Sequence, residues 1–267
     1  MTLIDVKKAA FSYDGKRDIF NDMSFDVGES EILCIIGPNG CGKSTLIDCI
    51  LGFNKLKSGE ILIGTKPIND LDAKEYAKEV AYVPQGHKTT FAYTVLDVVT
   101  MGRTYAMQMF SPPGKEERDI ARDALSQVGL SGFEQREYTK LSGGELQLVI
   151  LARAIAQNSN VLIMDEPTAH LDFTHELNVM GIVANLVKTA GRSIIMATHF
   201  LNQAYYLENA GVDTKVALMN GTNFSHMGTP SDVLTTENLE DTFNIVTEIV
   251  KDKSGERKYI LPLYNNK

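Results

Sequence analysis

The sequence predicts an α/β fold with a mostly parallel core sheet. Two fully apolar runs, at residues 161–164 and 193–197, are typical of strands buried on both faces of a parallel sheet. Segments of helical period alternate with such runs along the chain, as in folds built from β-α-β units. The 267 residues are 43% hydrophobic and 22% charged, a composition that fits a globular protein and excludes a disordered one.

The N-terminal part of the chain is predicted to be antiparallel. Short strand-like runs at residues 2–13 and 19–27 are separated by a turn at 14–16. A buried strand at 31–36 then leads into a helix at 44–51, which Gly52 ends. A further short strand is expected at 80–83.

A mostly helical insertion is predicted from about residue 87 to residue 158. Thr94 is expected to cap a helix that continues through Met109, and the Pro-Gly segment at 111–114 breaks the pattern. Two more helices are expected at 115–128 and 143–157.

The remaining C-terminal elements are predicted from turn residues. They are a hairpin at 216–227, a helix from Ser231 and a closing hairpin that turns at 252–255. We therefore expect one domain over residues 1–240, with a short C-terminal hairpin extension at 241–267 packed on it.

Charge and cysteine content restrict the class of protein. The net charge of −8 is unsuited to non-specific binding of nucleic acid, so no nucleic-acid partner is expected. No apolar run approaches the ~18–20 residues that span a bilayer, and the N-terminus does not resemble a secretory signal. The three cysteines, Cys34, Cys41 and Cys49, lack metal-type spacing and indicate reduced thiols in a cytosolic protein.

A glycine-rich segment follows the first predicted buried strand and matches the Walker A pattern G-x-x-x-x-G-K-[ST]. Such glycines let backbone N–H groups point inward around phosphate oxygens, and the following helix adds its positive N-terminal end. The pattern assigns Lys43 to the β- and γ-phosphates and Ser44 to Mg²⁺, and Thr45 joins the predicted binding set. The alternative is a glycine-rich turn with a surface lysine. The motif consists of Gly37, Pro38, Asn39, Gly40, Cys41, Gly42, Lys43 and Ser44.

Two carboxylates end the apolar run at 161–164. Asp165 stands where a Walker B aspartate holds Mg²⁺, and Glu166 is placed to act as general base toward the attacking water. Ligands bind at the carboxyl edge of parallel strands, which is where both side chains are expected. Without the glycine-rich loop, two surface acids after a core strand would be the simpler interpretation.

A second candidate anion site opens the helix at 143–157. Ser142, Gly143, Gly144 and Glu145 stand at its N-terminus, where free amides and the helix dipole favour a negative ligand. In isolation, an ordinary serine-capped helix would explain this segment.

Together these motifs resemble those of the ATP-binding subunits of ABC transporters. Leu141–Glu145 (LSGGE) is similar to the family signature, although Glu145 stands where Gln is usual. The resemblance implies a P-loop ATPase fold with an N-terminal antiparallel β subdomain and an inserted helical subdomain. It also implies ATP and Mg²⁺ as ligands and a head-to-tail homodimer. Each ATP would lie between one copy's phosphate loop and the other copy's residues 142–145.

The same resemblance assigns roles to four other residues. Tyr13, 24 positions before Gly37, would stack on adenine, with Phe11 as the weaker candidate. Gln85 resembles the glutamine that binds Mg²⁺ and the attacking water, and His199 the histidine that contacts the γ-phosphate. Asp172 lies in a segment similar to the loop that communicates across the dimer. The alternatives are a core tyrosine for Tyr13, a polar turn residue for Gln85 and a core histidine for His199.

The chain also resembles the ATPases of iron-chelate, haem and cobalamin importers. Residues 91–103 contain VLDVV followed by MGR, and GTPSDVL at 228–234 is similar too. The resemblance implies membrane permease subunits that dock near His87–Met109, a substrate-binding protein in the full system and a position at the cytoplasmic face of the membrane.

Three other functions are alternatives for this sequence. A soluble ABC-type ATPase would lack a permease partner. A non-hydrolysing nucleotide-dependent module would lack Glu166 or His199, and both are present. A small-molecule kinase would have no use for the second glycine-rich helix start.

Overall fold

The computed structural model describes residues 1–86, 91–108 and 111–265. The chain divides into two compact units. The first comprises Met1–Asp70 and Leu186–Lys267, and the second comprises Leu71–Asn185.

The described residues form twelve strands and nine α-helices. In chain order they are β1 Thr2–Phe11, β2 Phe20–Gly28, β3 Ile32–Ile36, α1 Lys43–Ile50, β4 Ser58–Ile63, β5 Lys66–Pro67, α2 Ala73–Glu79, β6 Val80–Val83, α3 Val95–Thr100, α4 Lys115–Gln127, α5 Gly143–Gln157, β7 Val161–Asp165, α6 Phe173–Lys188, β8 Ser193–Thr198, α7 Leu201–Asn209, β9 Thr214–Asn220, β10 Asn223–Gly228, α8 Pro230–Val233, α9 Thr236–Phe243, β11 Ile245–Lys251 and β12 Lys258–Asn265. Short 3₁₀ helices lie at Ile68–Asp70, Met101–Ala106 and Tyr138–Lys140.

The first unit contains an antiparallel sheet and a mostly parallel group of strands. The antiparallel sheet has the order β2-β1-β4-β5, which confirms the predicted N-terminal subdomain. In the other group, β8 and β9 flank β3 and run parallel to it, and β10 pairs antiparallel with β9. Every residue of β3 and β8 is buried, as expected for strands covered on both faces.

The second unit combines a parallel strand pair with three packed helices. β6 runs parallel to β7, and α3, α4 and α5 bury apolar side chains against one another. Val99, Leu125 and Leu151 are fully buried there. Each such side chain contributes roughly 1.5–3 kcal/mol of transfer free energy, so these three anchor the helical segment.

The helix predicted to continue through Met109 is shorter. α3 ends at Thr100 and the chain tightens into the 3₁₀ helix Met101–Ala106. Gly102 lies in this 3₁₀ helix and packs closely on α5, since a Cβ built there would overlap the carbonyl oxygen of Arg153. Met109 itself lies outside the described residues.

The segment predicted as one helix from Ser231 forms two helices, α8 and α9. Thr229 caps α8 and Pro230 occupies its first turn, after which Thr235 caps α9. Two capping threonines six residues apart begin two separate helices.

The C-terminal hairpin of β11 and β12 packs on α7 through two asparagine side chains. The amide of Asn202 donates to the carbonyl of Ile260 (3.0 Å) and accepts from its N–H (2.7 Å). Asn209 makes the same pair of bonds to Lys258 (3.1 and 3.3 Å). The side chains of Asn202 and Asn209 on α7 therefore bond the backbone groups of two residues of β12. These bonds attach the hairpin to the first unit.

Among the residues that the structure describes, no helix combines the length and the apolar character needed to cross a bilayer.

Candidate nucleotide-binding site

The glycine-rich loop connects β3 to α1 in the first unit. The ammonium of Lys43 is buried and donates to the carbonyl oxygens of Gly37 (2.8 Å) and Pro38 (3.1 Å). It therefore spans the loop from the start of α1 back to the end of β3. A helix leaves its first N–H groups without acceptors, and α1 has no side-chain cap among the described residues. The loop thus gathers a cation and helix-terminal amides, which is the donor set that phosphate requires.

Two glycines of this loop are held close to β9. A Cβ at Gly37 would lie 2.6 Å from the carbonyl oxygen of Met219, and one at Gly42 would lie 3.0 Å from Cε of Met219 and 2.8 Å from Cγ2 of Ile19. Gly42 also has a φ of 108°, which a larger residue rarely adopts. Since side chains would close the loop, its shape fits a cradle for polyphosphate.

Tyr13 lies beside the loop and outside the core. The residue is 67% exposed, its ring packs edge-on against Phe11 at 4.8 Å, and its hydroxyl is 3.3 Å from Oγ1 of Thr45. Phe11 is buried, so Tyr13 has the free ring face that stacking on a base needs. The position next to α1 is consistent with the predicted adenine contact.

His199 follows β8 at the carboxyl end of the strand. Its ring lies against that of Phe200, with a centroid distance of 4.1 Å and a tilt of 35° between the ring planes. The turn beneath it is braced by Thr198, whose hydroxyl donates to Gln203 and accepts from the N–H of Phe200. The histidine therefore stands on a buried, hydrogen-bonded support.

In the second unit, the two residues predicted to act on the attacking water are hydrogen-bonded to each other. Nε2 of Gln85 donates to Oε2 of Glu166 at 2.9 Å. Gln85 follows β6, Glu166 follows β7, and these strands are parallel neighbours, so both residues emerge at the same edge. Asp165 ends β7 and is buried. Glu166 has a φ of 46°, a strained value that residues at functional sites often hold.

The signature segment forms a closed capping box at the start of α5. Oγ of Ser142 accepts from the N–H of Glu145 (3.3 Å) and donates to its carboxylate (2.8 Å), while the N–H of Ser142 donates to the same carboxylate (2.8 Å). These bonds hold the pKa of Glu145 below its usual value, with smaller contributions from Arg136 and His175. Glu145 is therefore an anion at neutral pH.

Asp172 caps α6 and pairs with His175. Its Oδ1 accepts from the N–H of His175 and its Oδ2 lies 2.9 Å from Nδ1 of the ring, so these bonds lower the pKa of Asp172. A Cβ at Gly144 would lie 2.2 Å from the same ring. One histidine thus lies between the signature segment and the segment that carries Asp172.

The structure brings together several of the predicted residues within each unit. In the first unit, the phosphate loop gathers Lys43, Ser44, Thr45 and Tyr13. His199 belongs to the same unit. Gln85 meets Glu166 in the second unit, which also carries Asp165, Asp172 and the signature residues. Arg136 and His175 contact the site and were not predicted. The sequence signal for His175 is the D-x-x-H pattern at 172–175, which follows β7.

Comparison with known proteins identifies the fold and its relatives. The family model described as ABC transporter matches residues 20–169. A molybdate import ATP-binding protein of Haemophilus influenzae is 32% identical over 98% of this chain and 96% of its own. An iron(3+)-hydroxamate import ATP-binding protein of Bacillus subtilis is 33% identical over 94% of this chain and 91% of its own.

Solved structures give the same result. A metal-chelate type ABC transporter in an inward-facing conformation aligns with a TM-score of 0.86 and 31% identity, over 99% of this chain and 98% of the other. A dimeric ATP-binding cassette in a post-hydrolysis state, bound to ADP and phosphate, aligns with a TM-score of 0.74 and 25% identity, over 85% and 98% of the two chains.

Proposed function

Because this chain belongs to the ABC transporter family as an ATP-hydrolysing subunit, we propose that it energises the import of a metal complex through a membrane permease. The observation that carries the ATPase part is the 2.9 Å hydrogen bond between Gln85 and Glu166. The bond joins two strand ends in the arrangement that a water-activating pair requires.

The phosphate loop binds the substrate in this proposal. Lys43 exchanges its carbonyl partners for the β- and γ-phosphates, and Tyr13 stacks on adenine. Ser44, Gln85 and Asp165 are the residues that would hold Mg²⁺, which neutralises phosphate charge when bound. The donor set of hydroxyl, amide oxygen and carboxylate suits this ion.

Glu166 then takes the proton of the attacking water. Gln85 donates to one carboxylate oxygen of Glu166 and so orients the carboxylate at the end of β7. His199 stabilises the γ-phosphate. Positioning and electrostatics supply most of the rate enhancement in such reactions.

A second copy of the chain completes the site. We infer that Ser142, Gly143, Gly144 and Glu145 of one copy face the nucleotide held by the other, with Asp172 at the same interface. The dimeric post-hydrolysis cassette with TM-score 0.74 supports this arrangement.

The permease is proposed to dock near His87–Met109, of which residues 91–108 are described. Phe91, Tyr93 and Met101 are 67%, 45% and 43% exposed, an apolar group that suits a helix of a membrane protein. His87 and Met109 lie outside the described residues. The chain would then sit at the cytoplasmic face of the membrane, and a substrate-binding protein would complete the system.

The cargo is proposed to be an iron chelate, haem or a cobalamin-type complex. The hydroxamate-import relative and the metal-chelate type structure support this class, whereas the molybdate-import relative widens the set to be tested.

The test is co-purification with membrane proteins, followed by uptake in proteoliposomes that contain the recovered complex. We expect a multi-spanning partner and ATP-dependent uptake of an iron(III) chelate, haem or cobalamin. ATP-dependent uptake of molybdate alone would overturn the chelate assignment. An ATPase that recovers no membrane-spanning partner would be a soluble ABC-type ATPase instead.

A further inference from the structure

Glu145 places a negative charge at the start of α5, beside the serine that is proposed to face a phosphate. Its carboxylate is bonded to both the N–H and the hydroxyl of Ser142, and its side chain is 28% exposed. An uncompensated carboxylate there would repel the γ-phosphate of a nucleotide that approaches Ser142.

Arg136 supplies the compensating charge. Its Nη1 lies 3.3 Å from Oε1 of Glu145, the oxygen less engaged by the capping box. The guanidinium lies 3.6 Å from the centroid of the Phe133 ring, which restricts its orientation.

The backbone around Arg136 is also fixed. Its carbonyl accepts from the N–H of Val95 (2.9 Å), and the N–H of Tyr138 donates to the carbonyl of Tyr93 (3.0 Å). These two hydrogen bonds hold the segment that carries Arg136 against the start of α3. The Phe133 ring restricts the guanidinium of Arg136, and the hydrogen bonds to Val95 and Tyr93 fix the backbone around it. These contacts hold the guanidinium beside Glu145.

We propose that Arg136 is a positioning residue for ATP hydrolysis: it neutralises Glu145, so that the Ser142 segment meets the γ-phosphate of the second copy's ATP without net negative charge. The inference rests on the proposed function, since it requires Ser142 to face a phosphate.

The experiment measures ATP-induced pairing of full-length chains that carry Glu166→Gln, by light scattering during a MgATP titration. Arg136→Ala should raise the half-saturating ATP concentration roughly three- to fivefold, the range for an exposed ion pair. The effect should shrink as salt rises, because exposed charges are screened. Arg136→Lys should restore most of the affinity.

The decisive variant is Arg136→Ala combined with Glu145→Gln. With the carboxylate gone, the arginine is no longer needed, so pairing should return to the parent value. Arg122→Ala, which removes a similarly exposed pair with Asp119 on α4, is the matched control and should change nothing.

The outcomes separate this inference from the proposed function. If the parent pairs but the double variant stays as weak as Arg136→Ala, the arginine does not act through Glu145 and the inference is wrong. Equal pairing of Arg136→Ala and the parent would overturn it as well. If the Glu166→Gln parent itself never pairs with ATP, the proposed function fails and the inference with it.

Discussion

At the scale of single residues, Glu166 combines strain with a defined partner. A non-glycine residue at a φ of 46° costs of order 1–3 kcal/mol, and the neighbouring strand end holds it there through Gln85. The carboxylate is therefore aimed by the fold rather than left to sample rotamers, which is what a general base needs.

The first prediction is that Glu166→Gln abolishes turnover and spares binding. The amide keeps the size of the side chain but cannot accept the proton, so kcat should fall roughly 10²–10⁴-fold. ATP affinity, measured by equilibrium binding, should stay within about threefold of the parent value. Glu116→Gln on α4, an exposed glutamate, is the control. Full activity in Glu166→Gln would remove the residue from the base role.

The second prediction concerns Cys41. Burial raises the pKa of its thiol, and burial raises the pKa of Cys34 and Cys49 to about 12. A raised pKa means less thiolate at a given pH, so iodoacetamide should label Cys41 slowly at neutral pH and faster as pH rises. Cys34 and Cys49 are buried and should stay unlabelled in the folded chain.

MgATP should then shield Cys41, because the thiol belongs to the phosphate loop. Mass spectrometry of labelled peptides measures the protection, and Cys41→Ser gives the background. Equal labelling with and without MgATP would contradict the placement of the nucleotide at this loop.

At the scale of elements, the start of α5 offers a matched pair of glycines. A Cβ at Gly144 would meet the His175 ring at 2.2 Å, whereas one at Gly143 would meet no atom within 4 Å among the described residues. Gly144→Ala should therefore destabilise the chain by about 1–3 kcal/mol, as overpacking does.

Gly143→Ala is the control and should be neutral or slightly stabilising, since alanine favours helix. Urea unfolding measures both. His175→Ala should relieve the clash, so the double variant with Gly144→Ala should recover stability relative to Gly144→Ala alone. Equal effects of the two alanines would refute the packing described here.

The next prediction tests the attachment of the C-terminal hairpin. Asn202→Ala removes two hydrogen bonds to Ile260 and leaves its backbone groups unsatisfied, at a cost of about 1–3 kcal/mol in unfolding free energy. Urea titration measures the loss, and limited proteolysis should show earlier cleavage near residues 252–255. The exposed Asn21→Ala should change stability by less than about 0.5 kcal/mol. An unchanged hairpin in Asn202→Ala would contradict the attachment.

Elements with local signals are the ones that the sequence predicts well. β6 and α5 begin and end where the apolar run or the capping serine indicates. α2 also carries a local signal, since Asp72 and Glu75 form a capping box, although the predicted elements leave it out. β4 carries one too, the apolar run at 61–63 between Gly59 and Gly64, and is likewise missing from the predicted elements. Its pairing with the distant β1 has no local signal.

The same distinction holds at the candidate site. The phosphate loop is one contiguous segment, so its residues can be named from the pattern alone. The contact of Gln85 with Glu166 joins residues 81 positions apart, and the pairing of β6 with β7 brings it about. Arg136 escapes prediction because its role depends on a ring contact and an ion pair that spacing does not indicate.

At the scale of the whole molecule, the predicted site residues fall in two units of one chain. The phosphate loop, Tyr13 and His199 belong to the first, whereas Gln85, Glu166 and the signature segment belong to the second. Each chain therefore carries a phosphate loop and a separate glycine-rich helix start. In the proposed function, the loop of one copy meets the helix start of another.

The most direct test mixes two variants that carry Glu166→Gln and Cys41→Ser. The one cysteine introduced into each is its only accessible thiol, because Cys34 and Cys49 are buried. One has Asn39→Cys at the exposed tip of the phosphate loop, and the other has Lys140→Cys just before the signature segment. A short bismaleimide should join them into covalent dimers only in the mixture and only with MgATP. Absence of heterodimers at saturating MgATP, or equal cross-linking without nucleotide, would contradict the claim that two copies enclose the ATP between them.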